Sequence, residues 1–470
     1  MSVSDYDVTV IGAGPGGYAA AFHAADLGLR TALIDYDPQL GGTCLLRGCI
    51  PSKALLHAAR LLTEAEEAQD WGIHFAKPRV DLESLRRRTR AIVGKLTTGV
   101  RTLAQSRKVD VIQARATFKT ATTLELSSPQ GKRELSYNHA ILATGSRPAV
   151  PPSLMIDDHR VMDSTGALEL PDVPARLLVV GGGYIGLELG TVYHALGAAV
   201  TVVEALPHLL NGVDPDLVRP LQQRLQKHFK ALKLNTTVEK LDLRDEGVAA
   251  TLKGSEETRT EVFDRVLVAV GRRANTQQLG LEHTRVAVSA KGFVQVDRQM
   301  RTAEPSIFAI GDVVGEPLLA HKATHEGVVA ARVIAGHNAV FDPAAIPAVI
   351  FTDPEIAWCG LTEEAAKASG RAVTIARFPW AASGRATTLD RNEGLTKLVL
   401  DAESGRILGM GLCGIGAGEL ISEGVLAVEM GAVAEDVAAS IHPHPTLSET
   451  VMEAAELFHG QAIHLYKSKR

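Results

Sequence analysis

Short apolar runs alternate with helical stretches over the first two thirds of the chain. The β-branched run at residues 6–11 is followed by an Ala-rich stretch and by a second apolar run at residues 31–34. The same order returns between residues 177 and 203. Strands that alternate with helices form parallel sheets, so this pattern predicts two βαβ units.

The rest of the chain divides in a similar way. Residues 64–107 are rich in Ala, Leu, Arg and Glu and predict helix throughout, whereas residues 140–148 and 306–310 predict strands followed by tight turns. Beyond Pro343 and Pro347, apolar and polar positions alternate in three stretches, namely 371–378, 394–400 and 406–412. They predict an antiparallel sheet in a separate C-terminal unit.

The βα turn of the first unit has glycines where a bound dinucleotide requires them. Gly12 suits the tight turn after the strand, Gly14 lets the backbone approach a pyrophosphate, and Gly17 allows close packing of helix on strand. Asp35, at the end of the second strand, would accept hydrogen bonds from an adenosine ribose. Alone, one such motif supports a nucleotide site only weakly.

The second unit repeats the motif at the same spacing. Gly181, Gly183 and Gly186 follow its first strand, and Glu204 follows Gly181 by 23 positions, which is the separation of glycine and acid in the first unit. Two matched motifs predict two bound dinucleotides, and therefore electron transfer between them.

Two cysteines, Cys44 and Cys49, come shortly after the first unit. On a regular helix this spacing turns the side chains apart, so a disulfide between them needs a distorted backbone, which Gly48 permits. Pro51 suits the first turn of a helix, whose N-terminal partial charge lowers a thiol pKa. The pair is predicted to be redox-active, with simple packing in the core as the alternative.

The charges and the cysteines together indicate which nucleotide binds where. Glu204 would repel a 2′-phosphate, and residues 205–214 contain no Arg or Lys, so the second site favours NAD over NADP. FAD is the common cofactor that can both pass hydride to NAD and exchange electrons with a dithiol. The first site, beside the cysteines, is therefore assigned to FAD.

Two polar positions later in the chain are further candidates. Asp312 follows the strand at 306–310, where a carboxylate would point into the ligand crevice or cap the next turn. His444 stands between two prolines, and Glu449 lies where it could orient the imidazole, which would make a general base for forming thiolates. Taken alone, this segment fits a proline turn with surface histidines better, but the dithiol reverses that preference. His442 has no assigned role.

Composition sets wider limits. The chain has 470 residues, which suggests about three domains, and its net charge of -5 without a long basic block argues against nucleic acid or an anionic membrane as a partner. There is no apolar run long enough for a membrane span and no evident targeting segment, so we expect a cytoplasmic protein. Cys359 and Cys413 lack neighbouring Cys or His residues and are predicted to pack rather than to bind metal.

Over essentially its whole length the sequence resembles the dihydrolipoamide dehydrogenase group of the pyridine nucleotide-disulfide oxidoreductase family. The shared motifs are GGTCLLRGCIPSK, ATGSRP, GGGYIGLE, IFAIGD followed by PLLAHKA, and HPHPTLSE. The resemblance implies an α/β fold with two Rossmann-like dinucleotide-binding domains, for FAD and NAD, and a C-terminal α+β dimerisation domain. The implied borders are 1–150 for the first part of the FAD-binding domain, 151–275 for the NAD-binding domain, 276–345 for a central domain completing the FAD site, and 346–470 for the interface domain.

The resemblance also implies the chemistry. Cys44 would exchange with a dihydrolipoyl group, Cys49 would face the flavin, and His444 with Glu449 would act on the disulfide of the other subunit of a homodimer. Electrons would pass through tightly but non-covalently bound FAD to NAD+. The implied partner is a lipoyl-bearing protein of a 2-oxo acid dehydrogenase complex, of glycine cleavage or of another carrier system.

Residues for the cofactors are carried over by their motif positions. Lys53 would lie near the flavin and pair with Glu188, and the backbone of residues 319–321 would face the flavin ring. The FAD set is Gly12, Gly14, Gly17, Asp35, Gly42, Thr43, Lys53, Ala116, Thr144, Gly145, Ser146, Asp312, Leu319, Ala320 and His321. The NAD set is Gly181, Gly183, Tyr184, Ile185, Gly186, Glu188, Glu204, Val238 and Gly271.

The sequence departs from the family pattern in three places. In the cysteine loop, Leu46 occupies the position where Asn is usual in the family, and Arg47 follows it. Arg47 is expected to place a positive charge near both sulfurs, which would favour the thiolate form and raise the reduction potential of the pair. Pro443 replaces Ala between the two histidines, and Ala274 replaces a usual Pro.

Two other classes of protein compete with this interpretation. An NADPH-dependent disulfide or mercuric reductase could share the fold, but Glu204 argues against NADPH, and the last residues, 466–470, lack the extra cysteine pair of mercuric reductases. A sensor that keeps the cofactors without turnover is disfavoured because every residue that the chemistry requires is present.

Overall fold

The computed structural model describes residues 4–466. Residues 1–3 and 467–470 lie outside this range. The prediction about a targeting segment concerns in part the first of these residues, and the prediction about C-terminal cysteines concerns in part the last. Within the described residues, no helix combines the length and the apolar character needed to cross a membrane.

Between residues 6 and 274 the chain forms sixteen strands and seven α-helices. They are β1 (Tyr6–Ile11), α1 (Pro15–Asp26), β2 (Thr31–Asp35), α2 (Gly42–Arg47), α3 (Cys49–Glu67), α4 (Leu82–Ser106), β3 (Asp110–Gln113), β4 (Arg115–Thr120), β5 (Thr123–Ser128), β6 (Gly131–Leu142), β7 (Ser146–Pro148), β8 (Val161–Met162), α5 (Ser164–Leu168), β9 (Arg176–Val180), α6 (Tyr184–Ala195), β10 (Ala199–Val203), α7 (Pro215–His228), β11 (Ala231–Lys233), β12 (Thr237–Arg244), β13 (Gly247–Lys253), β14 (Thr258–Phe263), β15 (Arg265–Val268) and β16 (Arg272–Ala274).

Of the remaining elements, β17 (Ile307–Ala309) and α8 (Ala320–Ile334) pack with the first part of the chain. The others form a C-terminal α+β unit. They are β18 (Ala348–Ile350), β19 (Glu355–Gly360), α9 (Glu363–Ser369), β20 (Val373–Pro379), α10 (Gly384–Thr388), β21 (Leu395–Asp401), β22 (Ile407–Gly414), α11 (Ala417–Met430), α12 (Ala434–Ala439) and α13 (Glu449–His459).

The predicted βαβ units are both present, each in its own sheet. The first sheet has the order β3-β2-β1-β6-β5-β4, with β17 paired to β6, and its strands β3, β2, β1, β6 and β17 are parallel. The second sheet, β11-β10-β9-β15-β8, is parallel throughout. Parallel strands are covered by helices on both faces, which explains why β1 and β9 are almost continuously apolar and buried.

The antiparallel sheet that the alternating pattern predicts for the C-terminal unit is confirmed. It has the order β18-β19-β22-β21-β20, with every neighbouring pair antiparallel. Helices α11 and α13 pack on it around a core that includes Trp380, Phe378 and Leu398. The domain borders given above stay predictions.

One predicted helix is interrupted. Residues 64–107 do not form a continuous helix, because α3 ends at Glu67 and α4 begins only at Leu82. A short 3-10 turn ends at Gly72, whose φ of 79° is left-handed, and Asp81 caps α4 by accepting a hydrogen bond from the Ser84 backbone N–H at 3.0 Å. Composition favoured helix here, but the capping residues decide where helices end.

Candidate active site

The cysteine loop is a helix broken at one residue. Cys44 lies in α2, Cys49 is the first residue of α3, and Gly48 separates the two helices. A Cβ atom at Gly48 would lie 2.9 Å from the Thr43 carbonyl oxygen, so a larger residue would collide with the preceding turn. The predicted distortion at Gly48 and the predicted place of Pro51 in the first turn of α3 are both confirmed.

The two thiols lie within hydrogen-bonding reach and share one proton unequally. A hydrogen bond from Cys44, helped by the positive charge of Lys53, outweighs burial and lowers the pKa of Cys49 to about 7. Donation of that hydrogen bond, together with burial, raises the pKa of Cys44. The reduced pair therefore contains a thiolate at Cys49 and a thiol at Cys44 near neutral pH.

The other cysteines behave as predicted for packing residues. Cys359 and Cys413 are buried, and burial raises the pKa of Cys359 to about 12. Cys49 is exposed and Cys44 is half-buried, so core packing does not explain the close pair.

Lys53 forms the predicted pair with Glu188. Its Nζ lies 2.8 Å and 3.1 Å from the two carboxylate oxygens, and the Phe351 backbone N–H donates to the same carboxylate at 3.0 Å. Glu188 is almost fully buried, and the Lys53 ammonium also lies 4.5 Å from the centre of the Phe351 ring. The pair joins α3, which begins at Cys49, to α6 of the second βαβ unit.

The two glycine turns are built alike. Gly12 and Gly181 have φ values of 105° and 108°, and a Cβ atom on either would lie 2.3 or 2.5 Å from a carbonyl oxygen of a neighbouring segment. A Cβ atom on Gly17 or Gly186 would lie 1.8 or 2.4 Å from the carbonyl oxygen of the turn glycine itself. Only glycine fits these four positions, in keeping with the roles predicted from the sequence.

The acid that ends the second strand also has the same contacts in both units. Asp35 Oδ2 accepts the Ala13 backbone N–H at 2.6 Å, and Glu204 Oε2 accepts the Gly182 backbone N–H at 2.6 Å. The other oxygen of each accepts a backbone N–H two residues further on. Burial raises the pKa of Asp35. Each carboxylate oxygen retains a lone pair that a ribose hydroxyl could use.

Both helices that follow the glycine turns present free backbone N–H groups at their N-termini. Gly14 precedes α1 and Gly183 precedes α6, and in neither helix does a side chain cap the first turn or an acidic residue stand there. Among the described residues, no atom beyond the local backbone lies within 4 Å of a Cβ position on Gly183, so the approach is open. These features fit a pyrophosphate at each helix.

A cleft extends from the first glycine turn to the cysteine loop. Of the predicted residues, its lining contains Gly12, Gly14, Gly17, Asp35, Gly42, Thr43, Cys44, Cys49, Lys53, Thr144, Gly145, Ser146, Tyr184, Ile185, Glu188, Asp312 and Ala320. The structure thus brings together segments from five separate parts of the sequence. Tyr184, Ile185 and Glu188 come from α6, so the second unit reaches the same cleft.

Other predicted residues lie outside the cleft lining. Ala116 is buried in β4, and Nε2 of His321 contacts the Pro347 carbonyl oxygen at 2.7 Å. Val238 lies in β12, opposite Leu252 of β13. The other predicted cofactor residues that do not line the cleft are Leu319, Gly181, Gly183, Gly186, Glu204 and Gly271.

Asp312 is held by Ser146, which is itself held by Arg272, a residue that the sequence did not single out. Ser146 Oγ donates to Asp312 Oδ2 at 2.5 Å, and Arg272 Nε donates to Ser146 Oγ at 2.7 Å. Asp312 lies inside the 3-10 turn Gly311–Val313, whose N-cap is Ile310, so it does not occupy the capping position of that turn. Asn275 was missed as well, and its Nδ2 donates to the Thr144 carbonyl oxygen at 2.9 Å. The polar run after Gly271 was the available indication.

The positive charge of Arg47 is paired with a nearby carboxylate. Its guanidinium forms an ion pair with Asp37, which follows β2. Lys53, rather than Arg47, is the cation that lowers the pKa of Cys49. The effect of Arg47 on the thiolate and on the reduction potential stays a prediction, and the ion pair with Asp37 works against it.

His444 and Glu449 form the predicted pair. Nδ1 of His444 lies 2.9 Å from Glu449 Oε1, and the Thr446 backbone N–H donates to Glu449 Oε2 at 2.7 Å. Burial raises the pKa of Glu449, but these two hydrogen bonds prevail and hold it below its usual value. The His444 side chain is 74% exposed and does not belong to the lining of the cleft around Cys44 in the same chain.

A cluster of carboxylates in the described residues could suggest a metal site, but a lysine fills it. Asp214, Asp216 and Glu363 lie close together, and Lys397 Nζ lies 2.7, 2.7 and 2.9 Å from them. Lys397 is only 1% exposed. The cluster is a buried ion-pair network between α7, α9 and β21.

Known proteins resemble this chain over nearly its full length. Residues 6–327 match the pyridine nucleotide-disulphide oxidoreductase family model, and residues 346–455 match the dimerisation domain of the same family. A dihydrolipoyl dehydrogenase of Haemophilus influenzae is 47% identical over 98% of this chain and 97% of its own length, and one of Geobacillus stearothermophilus is 43% identical over 99% of each.

Solved structures show the same architecture. LpdA from Mycobacterium tuberculosis superimposes with a TM-score of 0.89 at 27% identity, covering 96% of this chain and 99% of that one. The HOCl-induced flavoprotein disulfide reductase RclA of Escherichia coli, solved as a Cu(II) complex, gives a TM-score of 0.86 at 27% identity, over 97% of this chain and all of that one. The chain thus belongs to the pyridine nucleotide-disulphide oxidoreductase family.

Proposed function

We propose that this protein is a dihydrolipoyl dehydrogenase, which reoxidises protein-bound dihydrolipoyl groups and reduces NAD+ to NADH. The observation that carries the proposal is the cysteine pair on a broken helix, in a cleft that it shares with the first glycine turn and with Lys53 and Glu188. The full-length similarity to dihydrolipoyl dehydrogenases supports the same substrate.

We propose that the cleft binds FAD and that the second glycine turn binds NAD. Asp35 would bind the adenosine ribose of FAD, and Asp312, held by Ser146, would bind its ribityl chain. Glu204 would bind the ribose of NAD. When bound, FAD supplies an acceptor for the electron pair of the dithiol and a hydride donor for NAD+.

The thiol chemistry follows from the unequal pKa values. A dihydrolipoyl thiol, deprotonated by His444 of the second subunit, attacks the Cys44 sulfur of the oxidised pair, and Cys49 leaves as a thiolate. Its low pKa makes Cys49 the better leaving group. The second dihydrolipoyl sulfur then attacks the lipoyl sulfur of the mixed disulfide, which releases oxidised lipoyl, and its proton passes to the departing Cys44 sulfur, which becomes a thiol.

The assignments of partner and compartment are also proposals. We infer a homodimer, because the dimerisation-domain match covers residues 346–455 and His444 lies outside the cleft of its own chain. We propose lipoyl-bearing carrier proteins as partners and the cytoplasm as the compartment.

Anaerobic mixing of the FAD-loaded protein with dihydrolipoamide tests the function. We expect reduction of the flavin, followed by its reoxidation when NAD+ is added, and faster steady-state rates with NADH than with NADPH in the reverse direction. A flavin that NADPH reduces but dihydrolipoamide does not would instead indicate an NADPH-dependent disulfide reductase.

A further inference from the structure

Two histidines flank Pro443, and a glutamate from a different helix holds each of them. His444 contacts Glu449, the first residue of α13, as described above. His442 Nε2 lies 2.8 Å from Oε1 of Glu423, which belongs to α11. The proposed function uses the first pair and gives no role to the second.

The ring of His442 faces an acceptor at both nitrogens. Nδ1 lies 2.8 Å from the Ser440 carbonyl oxygen, and Nε2 faces the Glu423 carboxylate. Carbonyl and carboxylate oxygens only accept hydrogen bonds, so both contacts are satisfied only when both ring nitrogens carry hydrogen. The His442 ring is therefore held at both nitrogens, and its side chain is only 8% exposed.

This pair holds the turn from its N-terminal side. Pro443 has a fixed φ, and its carbonyl oxygen accepts a hydrogen bond from Thr446 Oγ1 at 2.7 Å. The chain between the two rings is therefore stiff. His444 is largely exposed and is tethered through one ring nitrogen, so the direction of its free Nε2 depends on where the turn is anchored.

We propose that His442, held by Glu423, is a positioning residue that sets the direction in which His444 reaches toward the cysteine pair of the second subunit. The inference rests on the proposed function, because that function gives His444 its role as base. His444 Nε2 takes the proton from the dihydrolipoyl thiol, and His442 does not contact the reacting groups.

The test compares two reactions of the FAD-loaded holoenzyme. Oxidation of dihydrolipoamide by NAD+ needs His444, whereas reduction of ferricyanide by NADH does not. For His442→Gln we expect kcat with dihydrolipoamide to fall about tenfold, with a shifted pH profile, since a small misplacement of a catalytic group is costly. KM for NAD+, flavin content and ferricyanide reduction should stay within twofold of the unmodified enzyme.

Glu423→Gln approaches the same contact from the other side. It keeps an acceptor for His442 but removes the charge, so we expect a smaller loss of kcat in the same direction. The double variant should be no slower than His442→Gln alone, because both changes act through one contact. If His442→Gln fails to fold, Glu423→Gln must still show the selective loss.

Another His–Glu pair in the same unit provides the matched control. His459, the last residue of α13, has its Nε2 3.4 Å from Glu435. The variant His459→Gln should leave both reactions and the pH profile unchanged. The proposal is overturned if His442→Gln keeps its kcat and pH profile, or if it loses both reactions equally. An unmodified holoenzyme that cannot oxidise dihydrolipoamide overturns the proposed function itself, and this is seen before any variant is made.

Discussion

After the hydrogen bond from Cys44, the charge of Lys53 is the main influence that lowers the pKa of Cys49. Lys53→Met removes a cation that lowers the pKa of Cys49, so this pKa should rise above about 7. Ultraviolet thiolate absorbance of the reduced protein, followed against pH, measures it. Arg60→Met is the control, because Arg60 lies on the same helix but pairs with the exposed Glu64. An unchanged thiolate titration in Lys53→Met would show that the hydrogen bond from Cys44 suffices.

Glu204 determines the preference for nicotinamide cofactors in the proposed function. Glu204→Ala removes the group that would bind the NAD ribose and would repel a 2′-phosphate, and it also frees the Gly182 and Leu206 N–H groups. We expect the ratio of kcat/KM for NADH to that for NADPH to fall by about tenfold, equivalent to about 1.4 kcal/mol. Glu246→Ala, at an exposed position of the same unit, should leave the ratio as it is. A ratio that does not move would place the nucleotide elsewhere.

At the scale of elements, the buried network around Lys397 joins α7, α9 and β21. Lys397→Met leaves three carboxylates close together without their shared cation, and breaking such a pair costs about 3–5 kcal/mol of stability. We expect a large fall in the thermal midpoint at neutral pH. Lys367→Met is the control, because Lys367 contacts the same Glu363 from an exposed position. Equal effects of the two variants would contradict a special role for the buried cation.

The same network predicts how the deficit depends on pH. Burial raises the pKa values of Asp216 and Glu363, but hydrogen bonds from Lys397 and other cations prevail and leave both below their usual values. Carboxylates with lowered folded-state pKa values stabilise the fold above the ordinary carboxyl range, and this contribution disappears as the pH falls through the folded values. The difference in thermal midpoint between Lys397→Met and the unmodified protein should therefore shrink in acid.

The elements themselves were largely predictable because their patterns are local. The βαβ units, the glycine turns and the C-terminal strands follow from periodicity and from residues within one turn of each other. The break between α3 and α4 was missed, since average composition says little about a cap. The contacts of Arg47 with Asp37 and of Arg272 with Ser146 join segments separated in the sequence, and no local pattern shows which charge meets which.

For the whole molecule, we expect a dimer whose interface includes part of α11. Leu426 and Met430, one turn apart on this helix, are 63% and 76% exposed. Large apolar side chains grouped in this way favour a protein contact. The double variant Leu426→Glu and Met430→Glu should weaken the dimer in sedimentation experiments.

The same variant separates the two reactions. Loss of the dimer should remove dihydrolipoamide oxidation, because His444 would no longer meet the cysteines of a second subunit, while NADH should still reduce ferricyanide. Leu61→Glu, at an exposed apolar position on α3, offers a comparison for the cost of the charge alone. A monomer that still oxidised dihydrolipoamide would show that His444 serves its own chain.

The proton shared between Cys44 and Cys49 has a consequence for energetics. Below pH about 7, reduction of the disulfide consumes two protons with two electrons, and its potential falls by about 59 mV per pH unit. Above that pH, Cys49 stays a thiolate, only one proton is consumed, and the slope is about 30 mV per pH unit. NAD+ also takes up one proton per electron pair, so from neutral pH upward the driving force from dithiol to NAD+ becomes independent of pH. In acid the electrons are held increasingly on the sulfurs.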